Sequence, residues 1–415
     1  MTKQTGTTLA ASLVLAALFV TSGVGALSAA ETSVEGYIYG TVETKDGKTH
    51  EGVLRWDDEE AFWDDIFHSS KKQLPFEDYA EDPDEDEDAT WWERMAVTIA
   101  GDLELDHQSR IVAVRFGDLQ QIEVTGKNAA ILTLRDGTII EVGGYANDVS
   151  ATVTVFDDKP GRVEVPWKRI DTITFSATPP DAVPGSFRLH GTVSTTEGEF
   201  VGFIQWDNEE CLSTDRLDGD SGDDDVSLEM GEIRSIEKRD RRSSLVVLKD
   251  GTEMTLSGTN DVNRDIRGIH IEDTRFGRVE VDWDEFEKLV FDDPGGSGRG
   301  YSDYSPPTRL SGTVTLDGGD WRKGELVFDL DEEWSWEMLD GSSDKIDYTV
   351  PFALVASIEP RGSRGCLVRL RNGEELFLED SQDTDDDNAG LVVVPTGDGE
   401  PAHVPWSRVS KIEFD

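Results

Sequence analysis

The chain has 415 residues and a formal net charge of −48, from 87 Asp and Glu against 39 Lys and Arg. Such a field opposes nucleic acid and anionic membrane surfaces, because phosphate binding rests on Lys and Arg neutralising the backbone. It suits solubility, a metal cation or a basic partner, and with 25 Arg against 14 Lys it fits a salty environment equally well.

In chain order, residues 1–30 read as a cleavable signal peptide. Lys3 supplies the charged start, Leu9 to Val20 the apolar core, and Ser28 and Ala30 the small residues before Glu31. The apolar run is too short for a good membrane span, so the expectation is a periplasmic or extracellular protein without an integral span. Cys211 and Cys366 fall at non-equivalent places. They are expected to be free thiols rather than a disulfide framework.

Beyond the leader, three phrases recur in fixed order. GTVETKDGKTHEGVLRWDDEE at Gly40 returns as GTVSTTEGEFVGFIQWDNEE at Gly191 and GTVTLDGGDWRKGELVFDLDEE at Gly312. ILTLRDG, LVVLKDG and CLVRLRNG follow, and VEVPWKRIDTITF, VEVDWDEFEKLVF and AHVPWSRVSKIEF close each unit. These are tandem repeats. They cover 31–176, 187–292 and 309–415, joined by Pro/Gly/Ser-rich linkers at 177–186 and 293–308, the second expected to be an exposed hinge.

Each repeat splits again. VPFALVASIE at Val350 has the form of VPWSRVSKIE at Val404, so three repeats make six half-units. Within one half-unit, alternating apolar residues and turn signals predict five short strands with one 3₁₀-like turn before the fifth. In the closing phrase, alternating valines face inward and Pro ends the ladder. Trp and the apolar residue three later then share one side of the turn.

Strand–Pro–turn–strand resembles the end of SH3-like barrels, and VVLKDGTEMTLSGTNDVN at Val246 resembles the first motif of Sm-like barrels. The resemblance implies an all-β protein of tandem five-stranded SH3-like small barrels. It does not extend to RNA binding in an acidic, exported chain.

The six histidines share no repeat position, and HExxH, G-x-S-x-G and phosphate-cradling glycine loops are absent from the sequence. No catalytic residue and no cofactor is assigned. Oxygen-rich loops are what Ca²⁺ takes, which makes Asp218, Asp220 and Asp223, with Asp383, Asp385 and Asp387, the candidate metal ligands, although neither loop has EF-hand spacing and solvated charge explains both. An insertion at about 68–110 carries Trp91, Trp92 and Met95 beside a run of acids, a candidate docking segment. The expected function is a non-enzymatic protein-binding or scaffolding module of the cell envelope. A Ca²⁺-dependent carbohydrate- or surface-binding protein is the alternative, and a carboxylate-based hydrolase the second alternative.

Overall fold

A computed structural model describes residues 33–71, 111–143, 148–157, 161–182, 184–292, 296–396 and 399–415. The expected signal peptide, Trp91, Trp92 and Met95 lie outside these residues. The regular structure is antiparallel strand broken by single 3₁₀ turns. Among the described residues no helix is long and apolar enough to cross a membrane.

Repeat 1 forms β1 (Tyr39–Thr44), β2 (Thr49–Trp56), β3 (Ile66–Lys71), β4 (Ile111–Arg115), β5 (Leu119–Gly126), β6 (Ala129–Leu134), β7 (Ile139–Gly143), β8 (Thr152–Asp157), β9 (Gly161–Pro166) and β10 (Ile170–Phe175). A 3₁₀ turn precedes β5 at Phe116–Asp118 and β10 at Trp167–Arg169. Repeat 2 runs from β11 (His190–Thr195) to β20 (Phe286–Phe291), and repeat 3 from β21 (Ser311–Leu316) to β30 (Val409–Phe414). The five strands expected of a half-unit are thus present six times.

The half-units are not separate sheets. In repeat 1 the strand order is β4-β3-β7-β6-β5-β10-β1-β2-β8-β9, an open ten-stranded sheet. The β1–β2 hairpin of the first half pairs with β10 and β8 of the second. The β6–β7 hairpin of the second half pairs with β5 and β3 of the first. Each five-stranded lobe therefore mixes both halves, and separate closed barrels do not describe the sheet. The connection enforces this. Only Lys127 and Asn128 separate β5 from β6, so the chain folds straight back as a hairpin instead of crossing to start a new barrel. The two halves meet where β5 pairs β10, with Ile122 opposite Ile173. Repeats 2 and 3 place Ile236 opposite Leu289 and Ile358 opposite Ile412.

The closing phrase fastens one half to the other. Trp167 is buried, and its indole N–H donates to Gly126 O at the end of β5, 3.1 Å away. Trp283 does the same to Asp240 O in repeat 2, at 3.2 Å. At the centre of each repeat the last residue of the second strand, Trp56, Trp206 or Phe328, is fully buried. Trp56 packs against the leading aromatics of both 3₁₀ turns, Phe116 at 5.4 Å and Trp167 at 6.1 Å. Phe328 meets Phe352 and Trp406 in the same way, at 5.3 and 5.8 Å.

Residues Thr32–Asp415 form one compact unit. Repeats 2 and 3 share one hydrophobic core and one sheet, joined where β19 (Gly277–Val281) pairs β24 (Ile346–Pro351). The second linker is not an exposed hinge in its described part. Tyr304 is 3 % exposed in the core of repeat 1, and Tyr301 donates to Leu119 O at 2.8 Å. Arg135 holds the carbonyls of both tyrosines. The composition of 293–308 suggested exposure, but its two aromatic residues supply enough apolar area to dock it.

Candidate functional site

The acidic phrase after the second strand is first a turn. Asp57 and Asp58, Asp207 and Asn208, and Asp329 and Leu330 all have positive φ, where Asp and Asn are the best tolerated non-glycine residues. The following Glu60, Glu210 and Glu332 return to bridge Trp56, Trp206 and Phe328. The loop Asn260-Asp261-Val262, which recurs as Gln382-Asp383-Thr384 in repeat 3, serves the same construction. Asp261 accepts from Asp218 N at 2.7 Å, and Asp383 accepts from Asp340 N at 2.8 Å. Asn260 donates to Asp207, as Gln382 does to Asp329.

Charge then joins the repeats. Asp65, Asp215 and Glu337 occupy equivalent positions, and each caps its own turn through two backbone N–H groups. The other oxygen of each takes a cation from a different repeat. Asp215 binds Arg55 at 2.7 Å, Glu337 binds Lys71 at 2.8 Å, and Asp65 lies 3.5 and 3.6 Å from Arg188 and Arg278. Glu272 bridges Arg115 at 2.9 Å and Arg278 at 2.7 Å. Arg188 pairs with Asp64 at 2.6 Å while its guanidinium stacks between Phe62 and Phe203, 4.1 and 4.0 Å from their ring centres. Burial disfavours charge on Glu272, but the guanidinium groups of Arg115 and Arg278 outweigh it and hold the carboxyl down at about 2.

Two clefts open along these seams. One, of about 1130 Å³, lies where all three repeats and the second linker meet. Trp336, Tyr304, Phe352, Arg309 and Arg371 line it, and the buried Trp336 indole N–H and Tyr304 hydroxyl have no hydrogen-bond partner among the described residues. Burial raises Asp118 on its wall to about 6. The mixture of aromatic faces and guanidinium groups suits a ligand with a flat face and an acceptor. The second cleft, about 420 Å³, lies between repeats 1 and 3 and is walled by carboxylates including Asp329, Asp331 and Glu337, with Lys71 among them.

The candidate ligands read from the sequence are spread out. Asp218 is exposed and Asp220 half-buried on strand β13 (Arg216–Ser221), while Asp223 is in the hairpin turn that follows. In repeat 3, Asp383 is engaged with the backbone of Asp340, Asp385 accepts from Asp387 N at 2.9 Å, and Asp387 is exposed. Among the described residues, three carboxylates brought within 4.8 Å of one another are those of Glu59, Glu60 and Asp148. The sequence did hold part of this signal, because Glu59-Glu60 and N-D-V both recur. Their meeting depends on the exchanged halves.

No protein-family model, curated protein or solved structure matches the chain. Both cysteines are free and buried.

Sheet edges complete the inventory. The junction of β19 with β24 pairs the last-but-one strand of repeat 2 with the fourth strand of repeat 3. The same two strand types recur as β9 and β4 in repeat 1, β14 (Asp224–Glu229) in repeat 2 and β29 (Ala402–Val404) in repeat 3. Among the described residues, β9 pairs only with β8 and β14 only with β13. Both edges are largely exposed.

Proposed function

We propose that this chain is an exported, non-enzymatic protein-binding or scaffolding module of the cell envelope, whose SH3-like lobes take an extended segment of a partner protein onto an open strand edge. The observation that carries this reading is the β19–β24 junction. There the fold itself shows that these two edge types accept each other, in the register Arg278 opposite Thr349 through Val281 opposite Ile346. A row of unpaired N–H and C=O groups is a template for strand addition. The acids of β14, Asp224, Asp225 and Glu229, favour a basic segment there, while β9 presents Arg162 and Glu164. The scattered histidines support a non-enzymatic role. His190 pairs with Asp292, His270 with Glu280, and His403 with the carbonyl of Ala389, in three different places.

Proline scanning of the edge tests this. Of Val226 and Ser227, adjacent in β14, one points its N–H at β13 and the other outward. The proline variant that leaves the melting temperature unchanged removes only an outward donor, and it is expected to abolish capture of the partner from an envelope extract. Unchanged capture by that variant, and by the matching pair Val163 and Glu164 in β9, would reject strand addition.

A further inference from the structure

We infer that Glu59, Glu60 and Asp148 form a binding site for a divalent cation of the oxygen-preferring kind, Ca²⁺ or Mg²⁺, in repeat 1. The inference is independent of strand addition. One ligand atom from each of the three carboxylates lies within 4.8 Å of the others, a span that one ion can bridge. Glu60 is 5 % exposed, and its Oε2 has no hydrogen-bond partner among the described residues, as is also the case for Oε2 of Glu210 and Glu332 at the equivalent positions. A buried carboxylate oxygen left without a donor is costly, and a cation is one way to satisfy it. Burial, then the charge of Asp148, pushes the Glu60 carboxyl well up.

The other two repeats show what belongs at this position. The equivalents of Glu59 are Glu209 and Asp331, and each already holds a protein cation. Arg267 reaches Glu209 at 2.7 Å and also Asp207 at 2.7 Å. Lys71, arriving from repeat 1, donates to Asp331 and, at 2.8 Å, to Glu337. These guanidinium and ammonium groups neutralise the Glu209 and Asp331 carboxylates, the role a metal ion would take at Glu59. Glu59 makes no ion pair among the described residues; Asp148, Asp57 and Glu209 make the field around it negative, and Arg267 of repeat 2 offsets part of it.

Repeat 1 lacks its own cation for a reason visible in the chain. In repeats 2 and 3 the loop runs from Asp261 to Ile269 and from Asp383 to Leu391; in repeat 1 it runs only from Asp148 to Val153, three residues fewer, and the Arg267 position is lost. The nearest basic side chain at Asp148 is the half-exposed His68, with Nδ1 3.5 Å from Oδ2. Its backbone N–H donates to the same carboxylate. Glu59 is half-buried at the mouth and Glu60 and Asp148 are buried behind it, so an ion would enter past Glu59 and keep water on its outer side.

Trp56 makes the site observable. Its backbone exchanges hydrogen bonds with Glu60, and its indole N–H donates to Asp148 O at 3.0 Å. Terbium, which takes Ca²⁺ sites, should therefore luminesce when tryptophan is excited. The experiment uses the full chain, freed of metal by chelation, near neutral pH and at physiological salt. The expected result is a saturable terbium signal displaced by Ca²⁺ or Mg²⁺, the stronger competitor naming the ion. Affinity should fall ~10-fold or more in Glu60→Gln, and in Glu59→Gln, which sits at the mouth and puts less of the core at risk. Trp56→Phe should dim the terbium signal by far more than it lowers Ca²⁺ affinity measured by calorimetry. A saturable signal equal in wild type and both glutamine variants would place the ion on other acids and overturn the site. So would the lack of any saturable signal, which would mean that Glu60 is satisfied by a proton.

Discussion

Ile122 and Ile173 face each other across the β5–β10 pairing, each at the same position of its own half-unit. This pairing relates the two halves of repeat 1 by a local two-fold, and it is repeated by Ile236 with Leu289 and Ile358 with Ile412. Because each lobe mixes strands from both halves, cutting between the halves should not release them.

Tryptic nicking supplies the check. Arg241 and Arg242 form the exposed turn between the two halves of repeat 2. A chain cleaved there is expected to elute as one particle from a sizing column and to separate only in denaturant. Elution as two fragments without denaturant would mean that the halves fold apart.

Removing one partner from the buried charge network should cost far more than any surface pair. Glu272→Ala leaves Arg115 and Arg278 facing each other without their shared carboxylate. The expected loss is about 3–5 kcal/mol in urea unfolding. Lys411→Ala, which breaks exposed pairs with Glu359 and Glu413, should cost no more than about 1 kcal/mol.

The same network sets an acid limb. The guanidinium groups of Arg115 and Arg278 hold Glu272 down at about 2 in the folded chain, below the ordinary glutamate value of 4.5. Its contribution is therefore fully present above the unfolded value and is lost as pH falls from about 4.5 toward 2. Melting temperature should drop across that window in wild type. In Glu272→Gln the drop should be shallower, from a lower plateau, and an identical slope in both would contradict the assignment.

Repeat 3 uses Phe328 where the others use Trp56 and Trp206. Trp206→Phe should therefore be accommodated, losing chiefly the bond from its indole N–H to Asp261 O at 2.9 Å, which is worth about 1 kcal/mol. Trp206→Ala should cost about 3–5 kcal/mol, as read by urea unfolding of both variants.

Strand content and repeat boundaries were legible because they are local. Alternation in VEVPWKRIDTITF puts Val165, Ile170 and Ile173 inside, and period-two patterning needs no tertiary context. The exchange between halves was not legible. The β1–β2 hairpin offers the same apolar face to its own third strand or to its sister's, and only the short β5–β6 turn decides. The salt bridges were hidden for a related reason, since Lys71 and Glu337 are 266 residues apart. The clustering of Glu59, Glu60 and Asp148 was half visible: both phrases could be read, but nothing in either places it beside the other.

The most direct test of the functional account is hydrogen–deuterium exchange on the full chain, alone and saturated with the partner it retains from envelope extract. The account predicts new protection concentrated in 224–229 or 161–166, the open edges of repeats 2 and 1. Protection confined to the cleft around Trp336 and Tyr304, with both edges exchanging as before, would contradict it.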